Sequence, residues 1–247
     1  METSTVKITV IGSGDAFGSG GRLNTCFHVN TGNAQFLIDC GASTLPGLKK
    51  YGINTDEIDA IVISHFHGDH YGGIPFLLLE ASLSQTKKNI DIISPPGGKQ
   101  RLISLLELLY PGSPVLEKLN ISFIEYAPNE AIERRGFTVT GFPVVHVEEA
   151  LPHGLRIETS GKVIAYSGDT SWTDALIPLS NLADVFICEC NFYSTQAKEH
   201  LCYQELESHL PEFTCKKLFL THPSDEILEK RHLLDIRFLY DGMKICL

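Results

Sequence analysis

Four side chains of types that bind metal ions lie within residues 65–70, directly after the apolar run 60–63. They are His65, His67, Asp69 and His70. Burying so many polar groups in a packed core would cost free energy, whereas a loop at the end of a strand can direct them all into one cleft. Imidazole and carboxylate groups suit Zn²⁺, and iron and manganese accept similar ligands. The spacing therefore predicts a metal site, with a solvated histidine-rich loop as the alternative.

The elements that must position this loop alternate between strands and helices. Strands are predicted at 6–11, 25–30, 35–38, 60–63, 90–93, 121–125, 137–147, 155–159, 162–166, 184–187 and 218–220. Helices are predicted at 45–51, 73–83, 101–109 and 203–210. This interleaving, without a low-complexity linker, favours a layered α/β architecture.

Other polar side chains follow apolar runs before and after this motif and complete a recognisable order. They are Asp39, His146, Asp169 and His222. Together with the motif at 65–70, they resemble the landmarks of the metallo-β-lactamase superfamily. The resemblance covers nearly the whole chain. It implies an αββα sandwich of two mixed β-sheets flanked by helices, formed by one domain of residues 1–247.

The resemblance also implies two divalent metal ions, zinc in the first instance, with manganese or iron as alternatives. One ion would be held by His65, His67 and His146. The other would be held by Asp69, His70 and His222. Asp169 would bridge the two ions, and Asp39 would support the loop from behind. Two such ions about 3.5–4 Å apart can share a hydroxide and stabilise negative charge on a substrate.

Three residues are expected to act in catalysis. Asp169, with the metals, would position the nucleophile, and Asp69 would handle protons as well as bind metal. His200 lies 22 residues before His222, where ribonuclease Z and related phosphodiesterases carry a candidate proton donor. A histidine suits that task because its pKa is near neutrality. The alternative for His200 is an exposed position at the start of a helix.

His153 lies close to His146 and is a competing candidate for the third histidine. His146 is preferred because it follows the β-rich run 137–147, whereas His153 follows a proline in a predicted loop. We expect His153 at most to line the cleft.

The glycine-rich residues 12–18 superficially resemble a dinucleotide-binding loop. Phe17 stands where the third glycine would be needed, and the residues that follow are extended rather than helical. The segment is therefore predicted to form a turn at the edge of the cleft.

Three stretches resemble the ribonuclease Z and phosphodiesterase branch of the superfamily: 95–98, 155–158 and 166–170. The long arm with which ribonuclease Z grips tRNA is missing between His70 and His222. We therefore predict hydrolysis of a small anionic phosphodiester, such as a cyclic nucleotide, by a metal-bridging hydroxide. The alternatives are a tRNA 3′-processing endonuclease, a lactone or thioester hydrolase, and a metal-binding accessory protein without hydrolytic activity.

The composition limits the partners. The chain has 247 residues and a formal net charge of −10. An acidic chain is poorly suited to the many phosphate contacts that long nucleic acids require, and residues 85–88 contribute only two lysines. Transfer RNA is therefore disfavoured.

The cysteines and apolar runs bear on location. Seven cysteines without a C-x-x-C pair do not form a disulfide framework, which favours a reducing cytoplasm. No apolar run is long enough to span a membrane, and residues 1–10 lack the apolar core of a secretory signal. A homodimer is expected by resemblance alone.

Overall fold

The computed structural model describes residues 5–84 and 89–247. Residues 1–4 and the lysine-containing stretch 85–88 lie outside the described part. Two mixed β-sheets pack face to face, and helices cover both outer faces. The predicted αββα sandwich is confirmed.

The strands fall into a seven-stranded and a six-stranded sheet. In chain order they are β1 Lys7–Gly12, β2 Cys26–Asn30, β3 Gln35–Ile38, β4 Ala60–Val62, β5 Asn89–Ser94, β6 Asn120–Glu125, β7 Ala131–Arg134, β8 Phe137–Pro143, β9 His153–Thr159, β10 Lys162–Tyr166, β11 Val185–Glu189, β12 Leu218–Thr221 and β13 Lys244–Cys246. The first sheet has the order β13-β1-β2-β3-β4-β5-β6, and the second has the order β12-β11-β10-β9-β8-β7.

The α-helices are short or medium in length. They are α1 Thr44–Lys50, α2 Gly68–Tyr71, α3 Ile74–Leu83, α4 Gly98–Leu109, α5 Val115–Lys118, α6 Leu176–Ser180, α7 Tyr203–His209 and α8 Asp225–Lys230. Helices α3 and α4 pack their apolar faces on the first sheet, and α6 and α7 pack on the second. Within the described ranges, no helix has the length and apolar character needed to cross a bilayer.

The central core lies between the sheets. Phe27 of β2 meets Tyr166 of β10 edge to face, with ring centroids 5.4 Å apart. Phe36 of β3 stacks on Phe137 of β8 at 4.2 Å. All four side chains are essentially inaccessible to solvent. Removing this apolar surface from water stabilises the sandwich and holds the two sheets in a set relation.

Parallel pairing determines where the polar residues gather. Strands β3 and β4 run parallel, as do β10, β11 and β12. The carboxyl ends of neighbouring parallel strands meet at one edge of a sheet. Residues that follow β3, β4, β10 and β12 therefore converge, although they are distant in sequence.

The structure corrects two sequence-based expectations about the candidate histidines in the second half of the chain. The strand predicted at 137–147 ends at Pro143, and His146 lies in the following loop. The loop predicted around His153 is wrong, because His153 is the first residue of β9 and pairs with Pro143. Pairing with β8 extends β9 backwards, and this tertiary contact overrides the local proline signal.

Candidate metal centre

The seven predicted ligands converge in two groups. In each group, the nitrogen or oxygen atoms able to bind a metal lie within 4.8 Å of one another. The first group is His65, His67 and His146. The second group is Asp69, His70, Asp169 and His222. This grouping is the one that the resemblance implies, and metal binding by these residues stays a prediction.

Asp169 connects the two groups. Its Oδ2 atom lies 3.2 Å from Nε2 of His70 and 3.2 Å from Nε2 of His222. The same oxygen lies 3.9 Å from Nε2 of His65, in the other group. One buried carboxylate therefore faces both sets of imidazoles, as a bridging ligand would.

Several buried polar atoms at this point have no hydrogen-bond partner among the described residues. They are Nε2 of His65, Nε2 of His70 and Oδ1 of Asp169. Leaving such atoms unpaired costs about 1–3 kcal/mol each. Divalent cations bind nitrogen and carboxylate donors of this kind. The residues present therefore fit divalent metal ions.

Asp39 and Ser64 hold the buried histidines from behind. Nδ1 of His70 donates to Oδ2 of Asp39 at 2.7 Å, and the backbone N–H and hydroxyl of Ser64 both donate to Asp39 at 2.8 Å. Nδ1 of His65 lies 3.0 Å from the Ser64 hydroxyl. In both histidines, the contact occupies Nδ1 and directs Nε2 into the site. Supporting residues commonly orient metal-binding histidines in this way.

Backbone packing explains why a glycine, Gly41, lies two residues after Asp39. A Cβ atom on Gly41 would lie 1.9 Å from the carbonyl oxygen of Asp69. The neighbouring amide of Cys40 donates to the carbonyl of His70 at 2.6 Å. Only glycine permits this approach, and the contact fixes helix α2 against the turn that carries Asp39.

Burial and charge set the ionisation of the centre. Burial lowers the pKa of His65, which favours the neutral imidazole that a metal requires. Burial would raise the pKa of Asp169, but the positive charges that His222 and His70 can carry hold it well below its usual range. The Asp169 carboxylate is therefore ionised.

Beside the metal centre, Glu189 and His200 form a hydrogen-bonded pair. Nδ1 of His200 donates to Oε1 of Glu189, and the backbone N–H of Leu201 donates to Oε2 at 2.6 Å. Burial lowers the pKa of His200, but Glu189 outweighs this and raises it to about 9. The His200 ring lies 5.5 Å from that of His222 and 4.9 Å from that of His146.

Sequence reasoning missed Glu189. It is the last residue of β11 and is fully buried. The available signal was a single acidic residue within the apolar run 185–190, directly comparable to the polar residues that follow β10 and β12. The predicted strand 184–187 stopped short of it.

The centre opens into a cleft of about 190 Å³. Its lining consists of Asp15, Ala16, Phe17, His67, Asp69, His146, Asp169, Asn191, Phe192, Glu199, His200 and His222. The glycine-rich turn thus lies at the cleft edge, as predicted. His153 does not line the cleft, because it is buried with its ring 5.2 Å from that of Tyr126.

Comparison with known proteins identifies the family. A family model described as the anti-Pycsar protein Apyc1 matches residues 6–240. The chain belongs to this family. The Apyc1 protein of Bacillus phage 010DV004 is 28% identical over 240 residues, covering 90% of this chain and 91% of that protein. The probable metallo-hydrolase YhfI of Bacillus subtilis is 28% identical over 221 residues, covering 88% and 86%.

Further relatives agree with this membership. Ribonuclease Z of Agathobacter rectalis is 26% identical over 260 residues, covering 84% of each chain. The crystal structure of YhfI, a metallo-β-lactamase fold protein, superposes with a TM-score of 0.82 at 24% identity, covering 99% of this chain and all of that one. The human short-form tRNase Z superposes with a TM-score of 0.78 at 24% identity, covering 97% and 98%. The resemblance to the metallo-β-lactamase superfamily is confirmed, and this Apyc1-family chain is a metal-dependent hydrolase.

Proposed function

We propose that the chain hydrolyses a small phosphodiester, most simply a cyclic nucleotide, with two divalent ions. Zinc is the proposed metal, with manganese or iron as alternatives. The proposed ligands are His65, His67, Asp69, His70, His146, Asp169 and His222. The observation that carries the proposal is the Glu189–His200 pair, whose metal-binding atoms lie within 4.8 Å of those of Asp169 and His222. Hydrolysis of a phosphodiester needs a proton donor at this place, because an alkoxide leaves.

The contacts in the cleft suggest a chemical role for His200, Glu189 and Asp69. When bound, two divalent ions supply a water activated at neutral pH and neutralise charge on the phosphate. His200 holds a proton in the cleft, and Glu189 orients its ring through Nδ1. Asp69 lies at the cleft surface with Oδ2 3.2 Å from Nε2 of His70, where its carboxylate can accept a proton from the attacking water.

The size of the cleft and the charge of the chain support a small substrate. The cleft of about 190 Å³ is smaller than the roughly 300–1,000 Å³ of ordinary ligand pockets. A net charge of −10 opposes the many phosphate contacts that tRNA would require. The ribonuclease Z relatives, whose name denotes cleavage of RNA, support a phosphodiester as the substrate class.

A comparison of substrates tests the proposal. The protein loaded with Zn²⁺ or Mn²⁺ would be assayed with a 3′,5′-cyclic nucleotide, bis(p-nitrophenyl) phosphate, a lactone, a thioester and a precursor tRNA. We expect the cyclic nucleotide to give the highest kcat/KM. Faster turnover of the lactone or thioester would refute the phosphodiesterase, and efficient 3′ cleavage of the tRNA would assign the ribonuclease Z activity instead.

Three further properties belong to the same proposal. We propose that residues 1–247 act as one catalytic domain in the cytoplasm, where the seven free cysteines stay reduced. The homodimer expected by resemblance stays a prediction, which sedimentation or size-exclusion chromatography with light scattering can test.

A further inference from the structure

Phe17 is an exposed aromatic side chain beside the metal centre. It is 93% exposed, and it lines the cleft together with Asp15 and Ala16. Among the described residues, it alone combines a large, exposed apolar side chain with a place in this cleft. Isolated apolar side chains are common on protein surfaces, so the position of Phe17, rather than its exposure alone, needs an explanation.

The turn that carries Phe17 is held firmly. The buried carboxylate of Asp15 accepts hydrogen bonds from the backbone N–H groups of Phe17 at 3.1 Å and Ser19 at 2.9 Å. It also accepts a bond from the Ser19 hydroxyl at 2.6 Å. At the start of the turn, Asp241 accepts from the backbone N–H of Ser13 at 2.9 Å. The phenyl ring is therefore presented to solvent by an ordered backbone.

The position of the metal centre determines which part of a substrate reaches this ring. A substrate whose phosphate lies at the buried His65, His70 and Asp169 directs its remaining atoms toward the open side of the cleft. Phe17 lies at that rim. Phe192 also lines the cleft, with its ring centroid 6.5 Å from that of His200. A base leaving the cleft would thus meet two aromatic side chains, alongside the polar side chains of Asn191 and Glu199.

We propose that Phe17 is the platform on which the nucleobase of the substrate stacks. This inference rests on the proposed function and narrows it to phosphodiesters that carry a nucleobase. Every base has a π-face, and a phenyl ring has no hydrogen-bonding group with which to distinguish bases. The site accordingly accepts all four common bases, and purines bind more tightly than pyrimidines because they offer more surface for stacking.

Variants of Phe17 assayed on a matched pair of substrates test the proposal. The substrates are 3′,5′-cyclic AMP and the same cyclic ribose phosphate without its base. In Phe17→Ala, we expect the ratio of kcat/KM for the two substrates to fall about 10-fold, mainly through KM. Phe17→Trp should keep the ratio. Leu108→Ala is the control, because Leu108 is 80% exposed and lies outside the cleft.

The outcomes separate this inference from the proposed function. If the unaltered protein hydrolyses neither substrate, the proposed function fails and the inference falls with it. If it hydrolyses cyclic AMP but Phe17→Ala keeps the wild-type ratio, only the stacking platform is refuted. A change in oligomeric state of Phe17→Ala at an unchanged ratio also refutes it, since Phe17 would then be an interface residue.

Discussion

The floor and the rim of the cleft are built differently. The floor, formed by His65, His70 and Asp169, is buried, and Asp39 and Ser64 hold the two histidines in place. The rim includes Phe17, which is 93% exposed, and His200, whose side chain is 25% exposed. We therefore expect changes in the floor to remove metal, and changes at the rim to alter proton transfer or substrate preference while metal is retained.

The largest effect is expected from Asp169→Ala. This change removes a carboxylate that faces both groups of ligands. We expect activity to fall by at least about 1,000-fold together with loss of bound metal, because two neighbouring cations repel each other and the negative charge that would offset this repulsion is removed. Elemental analysis and the cyclic-nucleotide assay measure both. Asp174→Ala, at an exposed position five residues along the chain, is the matched control. Full activity or full metal content in Asp169→Ala would contradict the role of the floor.

A rim residue should separate activity from metal content. His200→Gln removes the proposed proton donor but leaves the seven proposed ligands in place. We expect kcat to fall about 100-fold with unchanged metal content, since general acid catalysis contributes roughly 10²–10⁴-fold. His232→Gln, at an exposed position, serves as the control. Loss of metal from His200→Gln would place this residue in the floor rather than at the rim.

Asp39 should affect metal affinity indirectly, through the histidine that it holds in place. In Asp39→Asn, one of the oxygens that accept from His70 and Ser64 becomes a donor. Asparagine tolerates the φ of +58° at this position, so the backbone is retained. We expect metal affinity to fall by roughly 10–100-fold. Metal titration monitored by calorimetry measures it, and unchanged affinity would show that His70 does not need this partner.

The smallest effect is expected for Asp15, which holds the turn that carries Phe17. Asp15→Ala removes three hydrogen bonds that hold the turn carrying Phe17. We expect the free energy of unfolding to fall by about 1–2 kcal/mol and KM for cyclic AMP to rise a few fold, with metal content unchanged. Urea unfolding and steady-state kinetics test this. A variant with wild-type stability would show that Asp15 does not order the turn.

Prediction from sequence succeeded where the signal is local. Helix α3 and strand β3 lie where their apolar patterns place them. The metal motif could be recognised because its residues are packed into six consecutive positions. His153 was assigned to a loop because the proline before it is a local signal, whereas its pairing with Pro143 is not. Glu189 was missed because its role depends on His200, and nothing in the intervening residues couples the two.

The amino-acid sequence alone was enough to predict the alternation of strands and helices through most of the chain and the metal motif at 65–70, because these are short-range patterns of apolar and polar residues. The superfamily was predicted from the resemblance of that motif and the residues around it to a known family. Tertiary structure alone decided that Asp169 faces both ligand groups, that Glu189 holds His200, and that Phe17 stands exposed at the rim. Each of these depends on the parallel pairing of distant strands and the packing of two sheets, which bring together residues that the chain keeps apart.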